Sequence, residues 1–127
     1  MDKILAEISA GELIDKITIL EIKKEKINNK EKLVEVNKEL ISLNETLKKS
    51  IKNESTISSF KNDLKNINLK LWDIEDGKRS AEKNNKFDEK FIELARSVYK
   101  FNDERAKIKL AINNALGSNI KEVKSYE

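Results

Sequence analysis

The chain has 127 residues, 39% of them charged and 38% apolar, with no cysteine, histidine or proline. Disulfides, thiolate nucleophiles, imidazole bases and the usual zinc sites are thereby excluded, and any metal would have to be a hard ion held by carboxylates. The net charge is only +3, and the lysines are spread among nearly as many acids, so no basic stripe tracks a nucleic-acid backbone.

The length fits a single domain spanning 1–127, and the near-absence of turn residues argues against a β-rich fold. The opening MDKILAEISAGE lacks an apolar run suited to a signal segment, and no stretch reaches 18 apolar residues. The expectation is a cytoplasmic protein with neither membrane nor nucleic-acid partners.

The first helix is expected over about 10–27. Ser9 and Glu12 make a capping box, and Leu13, Ile17, Leu20 and Ile27 form its apolar seam before Asn28 and Asn29 interrupt it. Gly11 in the first turn either reflects tolerance near a helix start or leaves backbone donors open to an anion. A second helix, about 30–51, is capped by Asn28 and carries Leu33, Val36, Leu40, Leu43 and Leu47. NESTISS reads as a loop, with Asn53 or Ser55 capping a third helix over about 55–83. Its seam, Ile57, Phe60, Leu64, Ile67, Leu71 and Ile74, steps by three and four throughout. Asn85 and Asp88 signal the cap of a fourth helix, about 87–116, which carries Phe91, Leu94, Val98, Phe101, Ile108 and Ile112 and stops at Gly117.

Short connections make neighbouring helices antiparallel, so the expected fold is an all-α, antiparallel four-helix bundle with a short C-terminal tail. Helices three and four, at ~40 to 45 Å each, outrun the first two. Their excess seam needs cover, from the tail through Ile120, Val123 and Tyr126 or from a second copy of the chain in a homodimer.

Four blocks, GELIDKITILEIKKEKI, LWDIEDGKR, FIELARSVYKFNDERA and GSNIKEVKSY, together resemble an uncharacterised family of small bacterial and viral helical proteins, catalogued as a domain of unknown function. The similarity runs almost end to end. It departs at Asn28 and Asn29, where members often carry an aspartate-proline turn, and at Val123, where a second acid is common. The resemblance implies a helical domain and no particular activity.

The residues offer one concentrated candidate. In a hairpin turning near residues 84 to 86, Arg96 lies level with Asp73, Ile74 and Glu75. Trp72, Glu75, Arg79 and Glu82 share a stripe on helix three, and Arg96, Tyr99 and Asp103 share one on helix four. Only three arginines occur in this lysine-rich chain, so their planar, bidentate heads carry more information than any lysine. A patch of Trp72, Asp76, Arg79, Arg96, Tyr99 and Asp103 is therefore expected to contact a ligand or partner, with Arg96 reaching Asp73 or Asp76. An ion-pair lattice that only fixes helix register is the other use of such charges.

The leading functional expectation is a binding or interaction module, engaging itself, another protein or an anionic small molecule, with no cofactor. The alternative is an enzyme acting on a nucleotide or other phosphorylated molecule, with magnesium shared by Glu12, Asp15, Asp73 and Asp76. Helical nucleotide pyrophosphohydrolases use acid pairs on neighbouring helices, though with glutamates and a shorter gap between pairs. A chorismate-mutase-like reading fails because helix one carries no arginine.

Overall fold

The computed structural model describes residues 1–125, so Tyr126 of the expected tail seam lies outside the described residues. Four helices follow in order: α1 (Ala10–Lys26), α2 (Lys30–Ser50), α3 (Glu54–Lys83) and α4 (Glu89–Leu116). The fold is all-α, and the helix ends fall within two residues of those read from the sequence.

The caps explain the boundaries. The Ser9 hydroxyl accepts from the Glu12 amide at 3.1 Å and starts α1. Asn29, one residue beyond the expected Asn28, caps α2 by accepting from the Lys32 amide. At α3 the expected side-chain cap is missing: Asn53 accepts instead from the Ser55 hydroxyl at 2.6 Å, and no backbone donor is capped. Asp88 caps α4 through the Phe91 amide, while Asn85 takes the left-handed turn before it at φ 53°. Gly117 ends α4 at φ 64°, a conformation that favours a residue without Cβ.

The shortest helix is the hub. α1 packs against each of the other three, α3 packs along α4, and α2 packs on α1 without running along α4. Leu13, Ile14, Ile17 and Leu20 of α1 meet Val36, Leu40 and Leu47 of α2, Ile57 and Leu64 of α3 and Ile112 of α4 in one buried cluster. Fully burying a residue of this size contributes about 1.5–3 kcal/mol, and α1 buries residues around most of its circumference, from Leu13 and Ile17 to Ile22.

The α3–α4 hairpin outruns that core. All the buried side chains of α4, namely Lys109, Ile112 and Asn113, lie in its last two turns and a half, whereas Phe91, Leu94, Val98 and Phe101 are only half-buried. Gly77 lets the two helices approach in this distal part: a Cβ there would sit 3.0 Å from a Leu94 methyl. Lys70 lies over the Phe101 ring at 5.2 Å. These pairings match the register expected for a turn centred near residue 85.

The C-terminal tail is held by polar contacts rather than by its apolar residues. Ser118 accepts from the Ala10 amide, Asn119 donates to Glu7 and Glu122 reaches Lys109, while Ile120 and Val123 remain 40% and 86% exposed. The apolar strap expected over the hairpin is therefore not formed by these two residues.

Candidate functional site

Where α1, α3 and α4 meet, a charged residue is sealed in the interior. Asp15 has no exposed surface. Its Oδ1 accepts from Arg105 Nε at 3.0 Å and from Asn68 Nδ2 at 2.9 Å, and its Oδ2 accepts from Arg105 Nε at 3.1 Å and from Nη2. Asn68 Nδ2 also donates to the Thr18 hydroxyl at 2.9 Å, and that hydroxyl donates back to the Asp15 carbonyl at 2.7 Å. A buried carboxylate persists only when its lone pairs are taken up in this way. The bond to Asp15 is the main reason that the Arg105 guanidinium is held above its ordinary pKa, against the opposing effect of its own burial.

A second, wetter tier lies beside it. Lys109 Nζ donates to Glu12 at 2.7 Å and to Glu122 at 3.3 Å, and stands 3.9 Å from Asp15. Glu12 thus spends its carboxylate on α4 and not on the reciprocal arm of a capping box. Three of the free donors at the start of α1 are engaged, Ala10 by Ser118, Gly11 by Asn113 Oδ1 at 2.7 Å and Glu12 by the Ser9 hydroxyl, and Leu13 makes the first helical bond to the Ser9 carbonyl. The idea of an anion on that helix end is corrected accordingly. Gly11 is present because α4 leaves no room: a Cβ would lie 2.5 Å from the Lys109 carbonyl oxygen.

Arg105 also faces outward, onto an open cleft of about 480 Å³ between the same three helices. Ile19, Ile22 and Leu71 make its apolar wall, and Trp72 stands half-buried beside them. Asn68, Asn102 and Arg105 line one end, and Glu75, Asp76 and Arg79 follow about two and three helical turns further along α3 from Asn68.

Of the six residues expected to form a patch, Trp72, Asp76 and Arg79 line this cleft and the other three do not. Tyr99 is 55% exposed, and Asp103 lines a separate groove with Lys107, Leu110 and Asn113. Arg96 is exposed and makes no ion pair with Asp73 or Asp76, which corrects the expected contact. It is two residues from both Leu94 and Val98, and at 100° per residue that turns it away from the α3-facing seam. The stripe of α4 that does reach the cleft is Asn102 and Arg105, one turn further along. Arg105 was identifiable from the rarity of arginine, but its partner on α1 depends on how α1 lies across the hairpin, which no local spacing specifies.

The four acids of the magnesium alternative do not converge. Among the described residues no group of three or more carboxylates is placed to share an ion. Asp15 is neutralised by Arg105, Glu12 by Lys109, and Asp73 points to solvent.

A family model described as "Family of unknown function (DUF6165)" matches residues 4–127. The chain belongs to this family. The match includes the extended residues before α1 and the tail after α4, so both polar contacts at the chain ends lie within the family's span. No curated protein and no solved structure matches the chain. No helix among the described residues is long and apolar enough to cross a membrane.

Proposed function

We propose that this member of the family is a binding module whose cleft between α1, α3 and α4 takes a small organic anion. The observation that carries the reading is Arg105: one edge of its guanidinium is fixed by the sealed Asp15, and the residue also lines a cleft walled by the sole tryptophan. A donor held in this way loses little freedom on binding, which is the condition under which a single arginine orients a ligand. The mixed apolar and polar lining and the size of the cleft are those of small-molecule sites.

Trp72 supplies the test. A screen of small organic anions, read by Trp72 emission and by thermal shift, should give at least one compound that changes both in a saturable way. If no anion at millimolar concentration alters either signal, the cleft is not a binding site.

A second reading concerns the distal hairpin. Phe87, Ile92 and Tyr99 are each more than half exposed there. Self-association through this part of α3 and α4 would cover them. Sedimentation across the micromolar range would give a mass that rises with concentration, and a constant monomer mass would remove the idea.

A further inference from the structure

We infer that the ligand of the cleft is a flat, apolar monoanion carrying a neutral hydrogen-bond donor at its far end, and not a polyphosphate; this rests on the cleft being a binding site. The charges around it are balanced. Arg105 is matched by Asp15, Glu75 is matched by Lys78 at 3.4 Å, and Arg79 and Asp76 stand three residues apart on α3 without an ion-pair partner among the described residues. A triphosphate would bring several negative charges into a site with no net positive field, next to two carboxylates and with no carboxylate cluster to hold a compensating cation. A single negative charge meets a different situation. The Nη1 of Arg105 has only a long 3.5 Å contact to Asn102, so that edge can still donate to a carboxylate.

The far end is defined by Asp76. It lies eight residues, ~12 Å, along α3 from Asn68. As an unpaired carboxylate it accepts a hydrogen bond, and Arg79 beside it disfavours a full positive charge on the donor. Between the two ends, Trp72 and the side chains of Ile19, Ile22 and Leu71 offer a mainly apolar surface on which a ring can lie. An aromatic ring with a carboxylate at one end and an uncharged amino or hydroxyl group at the other meets each feature in turn.

The sole tryptophan gives one indole N–H resonance, so binding can be read at the cleft itself. The probe is 4-aminohippurate, an aromatic monoanion with a neutral amine. Its methyl ester lacks the anion, hippurate lacks the amine, and ATP with and without magnesium represents polyphosphates. The expected result is a saturable shift of the Trp72 resonance by 4-aminohippurate, with affinity about ten-fold lower for the ester, as for the loss of one charge-assisted hydrogen bond. Asp76→Ala, an exposed substitution that spares the core, should bring 4-aminohippurate down to the affinity of hippurate and leave hippurate unchanged. If ATP shifts Trp72 at lower concentration than 4-aminohippurate, the ligand class is wrong while the cleft stands as a binding site. Equal binding of ester and acid overturns the anion assignment. A Trp72 resonance moved by none of the probes, and by no anion in the wider screen, removes the site together with its ligand.

Discussion

Asp15 and Arg105, ninety residues apart, meet with both carboxylate oxygens of the one facing Nε and Nη2 of the other. The aspartate is fully buried and the arginine side chain is 29% exposed, so the carboxylate depends on the arginine far more than the reverse. Breaking a buried pair by deleting one partner costs about 3–5 kcal/mol, because a charge is left without compensation. Arg105→Ala should therefore destabilise the protein by that amount in urea unfolding. Asp15→Ala should cost less, since the freed guanidinium can be hydrated through the cleft. A double variant less unstable than the sum of the two would show the coupling directly.

The three glycines do different work, and alanine separates them. At Gly11 the new Cβ meets backbone of α4, which cannot rotate aside, and the Gly11 amide bond to Asn113 is strained with it. Overpacking of this kind costs about 1–3 kcal/mol or more. Gly117 has open space around it but a left-handed backbone, for which an L side chain costs about 1–2 kcal/mol. At Gly77 the neighbour is a Leu94 methyl able to shift, and the gain in helix propensity of up to ~1 kcal/mol offsets the contact. Thermal unfolding should rank Gly11→Ala as the most damaging and Gly77→Ala as close to neutral.

The tail carries its own pH dependence. Glu122 is held below the ordinary carboxylate pKa, chiefly by its hydrogen bond from Lys124 and further by Lys109, against the opposing effect of burial. Its folded pKa is lower than its unfolded one, so the contribution to stability is complete above the unfolded value. It is lost only as the pH falls through the folded value. The Glu122 contacts should persist at pH 5 and disappear below the usual glutamate range of about 4.3. Amide shifts of residues 120–125 followed from pH 7 to pH 2 would report the release. Glu122→Gln should abolish the transition and change global stability by less than ~1 kcal/mol, as for other solvent-facing pairs.

Helix existence and most ends were legible because their causes are local. The Ser9, Asp88 and Gly117 caps act within a few residues, and the three-and-four seam of α3 predicts the face that buries Ile57, Leu64, Ile67 and Ile74. The hairpin register was also legible, as Gly77 against Leu94 illustrates. The site was legible in part. Trp72, Asp76 and Arg79 share one face of one helix, which periodicity supplies, and the structure places all three on the cleft. Arg105, Asn68 and Asn102 were not found, because their meeting with Asp15 requires the placement of α1 across α3 and α4. That placement is set by the fit of Gly11 against Lys109 and by the Gly11 amide bond to Asn113, contacts about a hundred residues apart in sequence.

Asn68 gives the most discriminating test of how that interior is balanced. Its amide nitrogen donates to both Asp15 Oδ1 and Thr18 Oγ1, each at 2.9 Å, and the residue is buried. Asn68→Asp preserves size and shape but replaces the donor by a carboxylate within hydrogen-bond distance of another carboxylate. Arg105 can compensate only one of them, so the pair must retain a proton, and the folded pKa of that proton rises above the unfolded value. Stability contributed by the bound proton is present at acid pH and is lost as the pH increases past the unfolded aspartate value of about 3.9. The variant should then approach the wild type near pH 4 and fall below it by several kcal/mol at pH 7, a range typical of an uncompensated buried charge. Asn68→Leu, which removes the donor without adding charge, should be destabilised to a similar extent at both pH values. Urea midpoints of the two variants at pH 4 and pH 7 check this, and an Asn68→Asp deficit that does not change with pH would mean that water or Lys109 reaches the new carboxylate.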